Sequence, residues 1–139
     1  MVTQMVRRWR DRGAAAVEFA LVVPVLILLI FGSIEFGLAV QARTMIGNAA
    51  REGVRVASLG GTVADVQAST LNALGSVSGT KNVAYTCTTS GSSTCDPAAP
   101  GKNSVATVLV TLNYTGITGL FPQLTNATLT ASSVMRIEN

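Results

Sequence analysis

The sequence predicts an α+β fold in which one long N-terminal helix carries a short second helix and a small antiparallel sheet of about three strands. Three observations lead there. The stretch from Arg12 to Val40 is a near-continuous apolar run, with no charge from Phe19 to Ile34 and only Glu18 and Glu35 interrupting it. A spanning helix needs roughly 20 predominantly apolar residues, so this run is long enough to cross a bilayer. Beyond Val40 the apolar residues keep a helical period, and after residue 82 that period gives way to the two-residue alternation of strands.

Charge and composition set the context. The chain has 139 residues and a formal net charge of +3. That excess lies entirely ahead of Gly13, where Arg7, Arg8, Arg10 and Arg12 outweigh Asp11, while the basic and acidic residues from Ala14 onward balance. The basic pI therefore gives no indication of nucleic-acid binding. A basic cluster just before an apolar span marks the cytoplasmic flank, which places the later domain on the other side of the membrane. The implied division is a basic cytoplasmic leader over 1–13, a transmembrane helix over 14–40, an amphipathic continuation over 41–59 and a small extracytoplasmic α+β domain over 60–139. A domain of that size is near the lower limit for a self-sufficient core.

Each element follows from local signals. Residues 1–13 are short, basic and without periodicity; they read either as an ordinary cytoplasmic stub, with Trp9 at the interface, or as a leader removed by a protease. In the apolar run Pro24 lacks an N–H and leaves the Ala20 carbonyl without its helical partner, which predicts a kink or a loosened turn. Gly32, Ser33 and Gly37 are small enough for close helix approach in lipid, though glycine is also simply tolerated there. Ile46, Ala49, Ala50, Gly53, Val54 and Ala57 then form one helical stripe, with Arg51, Glu52 and Arg55 largely off it, and Gly60-Gly61 ends the helix. Thr62 with Asp65 resembles a capping box at the head of a second helix whose apolar face is Val63, Val66, Leu71 and Leu74, ending at Gly75. Strands are predicted over 83–88, over 106–114 and over 129–137, the last with Leu129, Ala131, Ser133, Met135 and Ile137 on one face.

Candidate chemistry is sparse. There is no histidine, which removes the commonest general base and the usual triads, and no Gly-rich phosphate loop. No catalytic residue, metal site or cofactor is expected, and the chain reads as a non-enzyme. Cys87 and Cys95 lie in a Ser/Thr/Gly-rich loop on the far side of the membrane, where an oxidising compartment favours a disulfide and the spacing without histidine is a poor metal site. Asn113-Tyr-Thr and Asn126-Ala-Thr match a glycosylation sequon and carry little weight.

The informative constellation is Gly13, four small or apolar residues, then Glu18 and Phe19, set between an Arg-rich stub and a membrane-length helix. A glutamate at the start of such a helix is costly unless something pairs with it. Cleavage after Gly13 would create an α-amino group on Ala14, about one turn from Glu18, able to neutralise the Glu18 carboxylate of a neighbouring subunit and set an axial stagger. Glu35 lies off the face of Glu18 and reads either as a residue snorkelling at the outer membrane edge or as an interface contact.

With RGAAAVEFALVVPVLILLIFGSIEFG followed by AREGVRVAS, the sequence resembles the TadE-like proteins of the Tad (tight adherence, or Flp) pilus system, strongest from Arg12 to about Ser58. The resemblance implies a pilin-like fold, processing by a prepilin peptidase between Gly13 and Ala14, and Glu18 at the fifth mature position. It further implies assembly as a minor pilin or assembly component, supporting adhesion or biofilm formation. The expected partners are that peptidase, other pilin-like subunits, the Tad secretion machinery and the lipid bilayer. The expected location is the bacterial inner membrane, or an extracellular pilus after processing. Phe19 in place of the tyrosine usual in major pilins, and the sizeable outer domain, favour the minor class. The alternative is an unprocessed single-pass accessory or scaffold protein that binds a partner through its outer domain.

Overall fold

A computed structural model describes residues 2–89, 94–116 and 127–137, with side chains from residue 13 onward. Its elements run α1 (Val2–Ser58), α2 (Val63–Leu74), β1 (Gly79–Thr88), β2 (Val105–Tyr114) and β3 (Ala127–Arg136). This is the α+β architecture that the sequence predicts. The strands form a consecutive antiparallel meander, β1-β2-β3, with Gly79 opposite Tyr114 and Tyr114 opposite Ala127 at one end, and Thr88 opposite Val105 and Val105 opposite Arg136 at the other.

α1 is longer than expected. It begins at Val2, so residues 2–13 are helical and continuous with the apolar run. Nothing in this segment breaks a helix: its arginines, Met5 and Gln4 are good helix formers, and a lone Gly13 costs only about 1 kcal/mol relative to alanine. Pro24 lies inside the same continuous helix. At 1.5 Å per residue, α1 is about 85 Å long.

Only the distal part of α1 packs against the domain. Ala42, Ile46, Ala49, Ala50, Val54 and Ala57 are buried and line up as the stripe read from the sequence. They cover one face of the sheet, where Ala106, Val108, Val110 and Leu112 of β2 form the centre of the core. Alanine and glycine on the stripe let the helix come close. A Cβ at Gly53 would collide with Thr70 Oγ1 and stand 3.2 Å from Val108 Cγ1. α1 then ends in a Schellman turn, Gly61 N–H donating to Val56 O (3.0 Å) and Gly60 N–H to Ala57 O (3.1 Å), with Gly60 at φ 83°.

The capping box holds the start of α2. Asp65 N–H donates to Thr62 Oγ1 (3.2 Å), and Thr62 N–H donates to Asp65 Oδ2 (3.0 Å). The Thr62 hydroxyl also donates to Asp65 Oδ2 (2.7 Å), and this bond, with the one from the Thr62 N–H, holds the exposed Asp65 carboxyl below its usual pKa. The buried face of α2 is Val66, Thr70 and Leu74; Leu71, expected inside, is exposed. The reason is the vacancy at Gly53, which admits a threonine on the 66-70-74 line while its hydroxyl donates back to Val66 O (2.6 Å).

The sheet also departs from expectation at its edges. β1 begins at Gly79 rather than 83, because pairing with β2 extends through the polar residues Thr80, Lys81 and Asn82. β3 starts at Ala127, and Ile137, just past its end, is buried with its N–H donating to Ser104 O (2.8 Å). Met135, expected inward, is exposed, as befits an edge strand covered by only part of one helix. Cys87 and Cys95 are joined, with Cα atoms 5.3 Å apart, and the turn is further tied by Cys95 N–H to Cys87 O (3.1 Å).

Two expectations follow from this packing. Gly53→Ala gains about 1 kcal/mol of helix propensity but incurs about 1–3 kcal/mol of overpacking, so thermal unfolding should move to lower temperature. Combining it with Thr70→Ala should cost less than the two single changes added together, by about 1 kcal/mol; simple additivity would show that the two residues do not press on each other. Cys87→Ser or Cys95→Ser should lower stability by about 2–3 kcal/mol and open the intervening loop to limited proteolysis, and unchanged cleavage would show that the bridge does not order that loop.

Candidate functional site

The candidate site is the part of α1 that the domain leaves bare. From Gly13 to Ile34 the side chains are exposed or only partly covered, among them Phe19, Leu21, Val25, Leu29 and Phe31. The helix is apolar enough to cross a membrane, with a mean hydropathy of 2.7 in a window of which none is buried. Exposing so many large apolar side chains to water would be unfavourable by roughly 25 cal/mol per Å², so this surface requires lipid or other helices around it.

Gly13, Ala14, Glu18 and Phe19 all lie on this bare segment and are exposed. Beyond its chain neighbours and its own helix backbone, no described residue stands within 4 Å of where a Cβ at Gly13 would lie. Among the described residues, therefore, no other element of the fold is brought against Gly13. Helical geometry puts Ala14 and Glu18 four residues apart on the same face.

Glu35 is in a different environment from both sequence readings. Its relative exposure is 0%, and among the described residues it is the one charged side chain in the core. It sits where α1 first meets the domain of α2 and the sheet, near Tyr114 at the end of β2. Burial raises the pKa of the Tyr114 phenol, and the neighbouring Glu35 raises it further. The alternation of β2, plain in the sequence, puts Tyr114 on the inward face with Val108, Val110 and Leu112; what the sequence did not show is that this end of β2 lies near Glu35 of α1.

Further along α1, Arg55 and Glu52 form an exposed pair at 2.7 Å. The hydrogen bond lowers the Glu52 pKa and raises that of Arg55, but a solvated i,i+3 pair is weakly stabilising and does not mark a site. Arg51 is exposed nearby. An open cavity of about 220 Å³ lies between Leu38, Ala42 and Met45 of α1 and Ser76, Val77 and Tyr114. It holds no acid or base other than the Tyr114 phenol, so its walls supply shape and apolar surface rather than acid–base chemistry. Cys87 and Cys95 are at the opposite end of the sheet from Tyr114. Among the described residues no group of three or more His, Cys, Asp or Glu is placed to hold a metal ion.

No curated protein and no solved structure matches the chain. The segment that carries both the bare apolar surface and most of the buried stripe is nevertheless recognisable: residues 13–55 match the family model of the TadE-like proteins.

Proposed function

We propose that this chain is a pilin-like structural subunit of a Tad (Flp, type IV-like) pilus, anchored in the inner membrane by α1 with its N-terminus in the cytoplasm. The observation that carries the reading is that the family match, over residues 13–55, takes in the apolar stretch 13–34 that the fold leaves bare. Lateral packing of that segment against equivalent helices would bury it a second time, once outside the membrane. In this reading a prepilin peptidase cuts between Gly13 and Ala14, and the new Ala14 amine neutralises Glu18 of a neighbour. An unpaired carboxylate is expensive among apolar helices, so the pair favours one axial stagger over others. The subunit then enters the filament as a minor pilin or assists its assembly, and the pilus supports adhesion or biofilm formation.

A second reading has its own observation: α1 runs without a break from Val2 through Gly13, as suits an accessory membrane protein that keeps residues 1–13. The mature N-terminus separates the two. Mass spectrometry of the terminal peptide from the native membrane or filament fraction should find a chain beginning at Ala14, whereas recovery of the Met1 form alone would favour the unprocessed scaffold. In a processed chain, Glu18→Ala should still insert into the membrane but enter filaments about tenfold less, the effect of ~1.4 kcal/mol per lateral contact. Normal incorporation would refute the amine–carboxylate pairing.

A further inference from the structure

The uncharged stretch from Phe19 to Ile34 is too short for the membrane it would cross. At 1.5 Å per residue it spans about 24 Å, against a hydrocarbon thickness of roughly 30 Å. One of the two flanking glutamates must therefore lie within the apolar layer. If the span runs from Gly13 to Ile34, it is Glu18, which is exposed. If it runs from Phe19 to Val40, about 33 Å, it is Glu35, some 8 Å inside the outer edge.

The fold discriminates between these placements. An acid in hydrocarbon is costly when it faces lipid, by about 3 kcal/mol or more at the centre of a span, and tolerable when protein encloses it. Glu35 is enclosed, at 0% exposure, with Tyr114 beside it. The residues after it remain apolar and outward-facing: Phe36 is 64% and Val40 49% exposed, and the first charge beyond Glu35 is Arg43. The lipid-compatible surface thus continues past the point where the domain begins.

We propose that the outer domain is seated in the outer interface of a phospholipid bilayer, with the Gly79–Tyr114–Ala127 end of the sheet at headgroup depth and Tyr114 screening Glu35 from lipid. The proposal rests on the reading of α1 as a membrane span. Tyrosine suits such a position, since its ring tolerates the apolar side and its hydroxyl the wet side. The charges at this end of the domain agree. Arg43 on α1 and Lys81 on β1 ring it, and apart from Glu35 no carboxylate occurs among the described residues 35–43, 76–82, 112–116 and 127–129. Cations at headgroup level attract the phosphates of the lipid surface. The cavity walled by Leu38, Met45 and Val77 opens beside Tyr114 and adds apolar surface there. Being ten residues long, β2 carries the opposite end of the sheet about 30 Å away into water.

The test places single nitroxide labels on the full chain at Leu26→Cys, Ser78→Cys and Lys102→Cys. The protein is reconstituted in vesicles of phosphatidylethanolamine and phosphatidylglycerol, and label depth is read from the ratio of collisions with oxygen to those with a water-soluble nickel chelate. Leu26 should be deep in the bilayer, Ser78 within about 7 Å of the hydrocarbon edge, and Lys102 fully water-exposed. A deep Leu26 with Ser78 as water-accessible as Lys102 would overturn the seated domain while leaving the membrane anchor intact. A Leu26 label outside the bilayer would overturn the anchor, and the seated domain with it.

Discussion

A single helix has to satisfy two media, and the structure depends on where one gives way to the other. Below Glu35, α1 shows apolar side chains in every direction, a surface suited to lipid or to neighbouring helices. Above it, the same helix narrows its apolar character to a stripe of small residues and turns it onto a sheet. The change falls at one buried acid. Glu35 is buried near Tyr114 at the end of β2, and the stripe is covered because Gly53 lets α2 and β2 approach together. The fold thereby keeps an 85 Å-class rod and a small domain in fixed register, though the domain alone is barely large enough to sustain a core.

Much of this was legible in the sequence because its signals are local. The stripe from Ile46 to Ala57, the Gly60-Gly61 stop and the Thr62–Asp65 cap each depend on neighbours a few residues away, and each appears where the pattern placed it. β2 was equally plain, since a central strand with one covered face alternates cleanly. What escaped depended on partners distant in sequence. Leu71 and Thr70 exchange the roles that hydrophobicity assigns them because a glycine on another helix leaves room for a hydroxyl-bearing side chain and not for a leucine. Thr80 to Asn82 join β1 only because β2 is there to pair with them.

The candidate site divides in the same way. Gly13 and Glu18 gain meaning from adjacent residues, and they are found exposed on the helix that their context implies. Glu35 could not be assigned from its neighbours in the chain, because it is buried where α1 meets the domain, near a tyrosine 79 positions later. A charged residue in an apolar run thus has an environment decided by topology, here by which end of β2 lies near that part of α1.

The order of the elements has a consequence for biosynthesis. The sheet is a meander whose hairpins close between adjacent segments, so most of its pairing can form quickly and locally. Yet β3, the last element, packs directly on α1, the first. Until the ribosome has delivered β3, the part of α1 that this strand covers stays open. α1 packs on α2 and β2 as well, so its cover is built up in steps and is completed once β3 has been made.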